Sequence, residues 1–267
     1  MSDFLILLLT LIPVCLFVLG FLALAGLLIW FLYRQWRPKD EAAVAADQKA
    51  AHVELGEKRT ALRPWTSEAL TDLSTDWKAH WSRLGRAVNA HGTLRSLDQP
   101  KGPPWVAFVF KVRGARNPDG QLHAQTSEQA FDYRITPEGI TVRVDEVPLG
   151  RVLPEGELLD PDGQRIGKAP RPGGLPARYR LGRVEVMHDD RSRTYPVTLA
   201  ERVVARLANP RPVMEAVVSL KRREHAPVVT LAAEPVSERE RTWLLALAIL
   251  QIAYYNVIET IWVNQSI

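Results

Sequence analysis

The chain has 267 residues, with 34 Lys and Arg against 30 Asp and Glu, a net charge of +4. Its single cysteine, Cys15, excludes an intrachain disulfide and a thiolate metal site. The roughly 230 residues after the N-terminal segment are enough for one real core, or one core plus a small helical part.

No side chain from Phe4 to Tyr33 is charged. As a helix this run reaches about 45 Å, more than the ~30 Å hydrocarbon core. Residues 1–36 therefore read as a transmembrane anchor. Arg34, Arg37 and Lys39 follow the span, while only Asp3 and the terminal amine precede it. That asymmetry predicts a single-pass protein of the cell membrane, N-terminus out and main domain cytoplasmic. Trp30, Tyr33, Arg34, Trp36 and Arg37 are the expected membrane interface. A cleaved signal peptide is the competing reading. Its n-region would lack Lys and Arg, and the apolar run continues past the small residues Ala23-Leu24-Ala25.

Residues 37–64 are Ala-rich and mixed in charge, with no large apolar stripe. They read as a stalk, helical or flexible, acting as a spacer. Over 65–91 the residues Leu70, Leu73, Trp77, Trp81, Leu84 and Val88 recur every three or four positions. This predicts an amphipathic helix, capped by Thr66 or Ser67 and ended by Gly92. Its stripe would pack on the following domain; the alternative is a helix lying on the membrane surface.

From 92 onward the pattern becomes that of strands. Turn signals stand at Asn117-Pro118-Asp119-Gly120, Pro137-Glu138-Gly139, Pro154-Glu155-Gly156, Asp160-Pro161-Asp162-Gly163 and Gly173-Gly174. Phe131, Tyr133 and Ile135 alternate with Asp132, Arg134 and Thr136, and Ile140, Val142 and Val144 with Thr141, Arg143 and Asp145. This is antiparallel patterning with one wet face. Val106-Ala107-Phe108-Val109-Phe110 is apolar on both faces, as a buried central strand requires. At Gly182 the inward set of 179–186 switches parity, as at a bulge. Ten to twelve short strands are expected, in a barrel or sandwich.

Ser237-Glu238-Arg239-Glu240 is a capping box that opens a helix over 238–260, apolar on nearly all sides. Gln251, Asn256 and Glu259 interrupt it, which argues against a second span. A helix of this kind outside lipid must be wrapped by protein, and the preceding strands are the obvious wrapper.

Many short strands followed by one apolar C-terminal helix resemble the tubby-like barrel shared with phospholipid scramblases and LURP-one-related proteins. The resemblance rests on Trp105-Val106-Ala107-Phe108, on the segment from Gly150 through Leu158-Leu159-Asp160-Pro161-Asp162-Gly163-Gln164-Arg165-Ile166-Gly167, and on Trp243 to Tyr255. It covers about residues 93–260 of a domain expected over 92–267, and implies a mainly β fold: an antiparallel barrel closed around a central C-terminal helix. The anchor here is N-terminal, whereas scramblase-type proteins place their membrane contact at the C-terminal helix. The resemblance therefore implies fold more than function.

The charge map is bipolar. Residues 117–162 hold ten acidic and three basic residues; 165–223 hold fourteen basic and five acidic. A basic face beside an anionic leaflet gains about 1 kcal/mol per nearby Lys or Arg. The lipid- or anion-binding candidates are Arg178, Arg180, Arg183, Arg202, Arg206, Lys221, Arg222 and Arg223. The plain alternative is that most are outward residues of amphipathic strands. Nucleic acid is a weaker fit, because the basic stretch lacks aromatic interleaving.

No catalytic, cofactor or metal constellation emerges. Asp160-Pro161-Asp162-Gly163 lacks the remaining ligands of a calcium loop. The six histidines show no ligand spacing, and Asp145-Glu146 read as strand neighbours pointing to opposite faces. No nucleophile elbow, phosphate loop or dinucleotide fingerprint is present. The expectation is a membrane-anchored, non-catalytic binding module for anionic lipid. The alternatives are a scaffolding subunit that binds another protein of a membrane complex, or a membrane-bound hydrolase. A cleft holding a perturbed carboxylate or histidine would favour the hydrolase.

Overall fold

The alternating segments become strands of one antiparallel sheet. The structure is a computed structural model that describes residues 16–30, 41–84, 87–113, 118–169, 194–208 and 226–256. Two compact units are present, 1–44 and 45–267.

In the first unit, helix α1 is described over 16–30. Eleven large apolar side chains from Leu16 to Trp30 are 48–77 % exposed. Among the described residues no helix is long and apolar enough to cross a membrane. Of the expected anchor and interface, residues 1–15 and 31–37, with Tyr33, Arg34, Trp36 and Arg37 among them, lie outside the described residues.

The second unit is mainly β. Its strands are β1 (Leu73–Leu84), β2 (Ala87–Ser96), β3 (Val106–Arg113), β4 (Asp119–Gln125), β5 (Ala130–Thr136) and β6 (Gly139–Val144). They continue with β7 (Val147–Val152), β8 (Glu157–Leu159), β9 (Arg165–Lys168), β10 (Thr194–Leu199), β11 (Arg202–Ala208) and β12 (Val229–Leu231). Among the described residues every strand pairs with its neighbour in sequence, a twelve-stranded meander. The sheet nearly closes on itself: Ser74 bridges Pro227, Val228 N donates to Leu73 O at 2.7 Å, and Thr75 N donates to Ala226 O at 2.8 Å. Closure pairs the backbone groups that an open sheet leaves at its two edges.

Alternation sets what lies inside. Phe108 and Phe110 of β3, Leu122 of β4, Phe131, Tyr133 and Ile135 of β5, and Val142 of β6 enter one core cluster. Helix α4 (Glu238–Ile249) occupies that core and continues as a π-helix over Leu250–Asn256. Residues Trp243 to Tyr255 are all buried, so the helix is surrounded. The strands reach it from several sides: Phe110 meets Tyr254 edge-on at 6.2 Å, and Tyr133 Oη donates to Ala246 O at 2.9 Å. Each fully buried large apolar side chain contributes about 1.5–3 kcal/mol. The expected capping box is formed, with Ser237 as N-cap and Glu240 accepting from the Ser237 backbone.

Residues 65–91 depart from expectation. In place of one amphipathic helix there is a single turn, α3 (Ala69–Asp72), followed by β1 and the start of β2. Positions 73, 77 and 81 are four apart, and four is both one helical turn and two strand periods, so the spacing fits either element. The expected spacer at 37–64 is also corrected. Helix α2 (Glu41–Arg59) is docked: Ala51, Leu55 and Leu62 pack against Ala107 and Val109 of β3. This explains why β3 is apolar on both faces. Its even-numbered residues fill the barrel, and two of its odd-numbered ones seat α2. Ala51 is small and the stripe is short, so the docking face is inconspicuous in sequence.

The switch at Gly182 and the Gly173-Gly174 turn lie outside the described residues. The Asp160–Gly163 segment is the β8–β9 turn, where Asp160 Oδ1 accepts from the backbones of Asp162 and Gln164. Asp145-Glu146 form the two-residue β6–β7 turn with φ of 49° and 68°, a primed hairpin geometry rather than strand.

Candidate functional site

Strand alternation puts Gln121, His123 and Gln125 of β4 and Asp132 of β5 on the outer face of the barrel. On a bare wall they would be wet; here they are buried at 4–8 % exposure. The cover is α2, held by polar contacts along its length. Lys111 Nζ donates to Asp47 Oδ1 at 3.0 Å, and Arg59 Nε donates to Ser127 O at 2.9 Å.

Between those two contacts stands His52, which meets a pair already set by the sheet. His123 and Asp132 face each other in the β4–β5 register. His123 Nδ1 lies 2.5 Å from Asp132 Oδ1, and His52 Nε2 lies 2.7 Å from the same oxygen. The two imidazoles meet edge-on, centroids 5.4 Å apart and planes at 88°. The far nitrogen of His123, Nε2, is 3.0 Å from Gln121 Oε1. Burial alone would raise the Asp132 pKa; the hydrogen bonds from His123 and His52 outweigh it and hold the carboxyl below its ordinary value.

The cluster opens onto a cleft of about 360 Å³ lined by His52, Gln125, Ala130, Asp132, Asp145 and Glu146. Asp145 Oδ1 accepts from Ala130 N at 2.8 Å, which ties the β6–β7 turn to the start of β5. The three donor atoms of His52, His123 and Asp132 lie within 4.8 Å of one another, close enough to hold a metal ion. The spacing of these histidines along the chain carries no signal of a site. His52 and Asp132 are 80 positions apart, and only the docking of α2 brings them together.

The residues expected to bind lipid are not gathered among the described residues. Arg178, Arg180, Arg183, Lys221, Arg222 and Arg223 lie outside them. Arg202 is engaged: its guanidinium donates to both Glu240 carboxylate oxygens at 2.8 Å and to Pro235 O at 3.0 Å. Arg206 Nε donates to Thr194 Oγ1 at 3.0 Å. Trp30 belongs to α1 and is 56 % exposed.

No family model, curated protein or solved structure matches the chain. What is shown is the class, a mainly β protein built as a nearly closed twelve-stranded antiparallel barrel around a helix.

Proposed function

We propose that this is a single-pass membrane-anchored binding module whose barrel presents a basic outer face to anionic lipid headgroups. The observation that carries the anchor is the all-round exposure of large apolar side chains along α1, from Leu16 to Trp30. Water does not tolerate such a surface, and lipid covers it at no cost. The uncharged run extends to Tyr33, with Arg34, Arg37 and Lys39 beyond it, which supports a barrel on the cytoplasmic side. The barrel interior is filled by its own helix, so recognition falls to the outer surface. The excess of basic residues over 165–223 supports attraction to an anionic leaflet. The barrel-around-helix plan supports kinship with the tubby-like fold, without carrying over any activity of that family.

Vesicle co-sedimentation of the compact unit, taken from residue 41 so that α2 is kept, tests the lipid reading. Pelleting with anionic but not neutral vesicles, lost at high salt and on reversing the charges of Lys221, Arg222 and Arg223, is the expected result. A soluble fragment indifferent to lipid would replace it with the scaffold reading, a protein partner in the same membrane.

A further inference from the structure

We propose that His52, His123 and Asp132 form a binding site for one divalent transition-metal ion of the zinc class, seated where α2 crosses β4 and β5. The inference is independent of the membrane reading above.

Three features argue for it. The first is the donor set. Two imidazole nitrogens and one carboxylate oxygen suit zinc, cobalt or iron better than magnesium or calcium, which favour all-oxygen sites. The second is convergence. Both imidazoles aim a nitrogen at the same carboxylate oxygen, from 2.5 and 2.7 Å, and they come from a helix and a strand that share no local sequence. Ligand bonds of about 2.0–2.2 Å put tetrahedral donors roughly 3.3 Å apart, so the imidazoles and the carboxylate spread from their present 2.5 and 2.7 Å to admit the ion. The third is the support behind the ligands. The Gln121 amide oxygen holds His123 Nε2 at 3.0 Å, which orients the ring so that Nδ1 faces the ion, the usual outer-shell arrangement of a ligating histidine.

The surroundings agree. The open side of the ion faces the cleft lined by Asp145 and Glu146, leaving a fourth position for water or a ligand. Two of the three ligands, His123 and Asp132, lie within the acidic stretch 117–162, which draws cations toward them. The bland alternative is a hydrogen-bonded clip that fastens α2 to the wall. Such a clip accounts for the hydrogen bonds among the buried groups, but not for the acidic opening beside them.

The test uses the full chain in detergent, purified without a polyhistidine tag, stripped with chelator and titrated with Co²⁺ by visible absorption. One equivalent binds, with the d–d bands of a low-coordinate site, and Zn²⁺ displaces it. His52→Ala, His123→Ala and Asp132→Asn each weaken binding by at least roughly tenfold, while His80→Ala, on β1, leaves it unchanged. If His123→Ala does not fold, His52→Ala decides, since His52 is partly exposed on α2. Absence of saturable Co²⁺ binding, or binding that survives the loss of His52 in a folded variant, overturns the proposal and leaves the clip.

Discussion

The Tyr133 hydroxyl donates to the carbonyl oxygen of Ala246, 113 positions later, so the barrel wall is stitched to the helix it encloses. Both residues are buried. Burial first, and the neighbouring Asp132 charge second, raise the Tyr133 pKa well above its ordinary value, so the phenol stays a donor. Ala246 O also accepts from the Leu250 backbone, so removing the phenol does not orphan it. Tyr133→Phe should therefore cost only about 1 kcal/mol. Urea denaturation of the compact unit measures this. A loss of several kcal/mol would mean that the ring itself is displaced.

Glu240 performs two tasks, closing the capping box with Ser237 and pairing with Arg202 of β11. Burial raises its pKa, but the Ser237 backbone and hydroxyl and the Arg202 guanidinium outweigh burial and hold it below the ordinary 4.5. A depressed pKa gives stability that is present above the unfolded value and is lost as pH falls through the folded one. Acid should therefore weaken the wild-type protein progressively below about pH 4.5. Glu240→Gln should flatten that slope, and Glu240→Ala should cost about 1–2 kcal/mol near neutral pH. Thermal melts from pH 7 to pH 3 would show both; parallel slopes for wild type and Glu240→Gln would refute the assignment.

At Gly150 the backbone φ is +148°, and a Cβ there would collide with Leu159 O and stand 2.8 Å from Trp243 Cζ2. The glycine lets β7 approach both β8 and the enclosed helix. Gly150→Ala should cost about 3 kcal/mol or prevent folding. Gly163→Ala has open space around its Cβ and a φ of +82°, so it isolates backbone strain and should cost only about 1 kcal/mol. Equal effects of the two would show that crowding at Gly150 is relieved elsewhere.

Helix α2 rests on a small apolar seat, with Leu55 only 2 % exposed against Ala107 and Val109. Leu55→Ala should loosen α2 by about 2 kcal/mol while the barrel persists. Hydrogen exchange should then rise over Glu41–Arg59 and remain slow over β3 to β6. A uniform rise would make α2 part of the global folding unit.

The legible parts of the fold were those where one pattern has one meaning. Phe131, Tyr133 and Ile135 alternate because one face is core, and Ser237 to Glu240 spell a cap with a defined hydrogen-bond geometry. The hairpin β1–β2 was not legible, because a four-residue spacing serves helix and strand alike. Within the site, the His123–Asp132 pairing follows from counting outward across the short β4–β5 connection, so that half was open to inference. His52 was not, because nothing local in an Ala-rich helix reveals which strand it will cover. Two of the expected lipid contacts, Arg202 and Arg206, proved to have partners that no alternation rule identifies.

Because α4 follows all twelve described strands, the ribosome delivers the wall before the pillar it is built around. Until residues 238–256 have been made, the inward faces of β3 to β6 have no native filling and must be shielded by loose collapse or by chaperones. A chain cut short before Ser237 would therefore be a set of hairpins with a sticky lining, a substrate for proteolysis rather than a smaller version of the same protein.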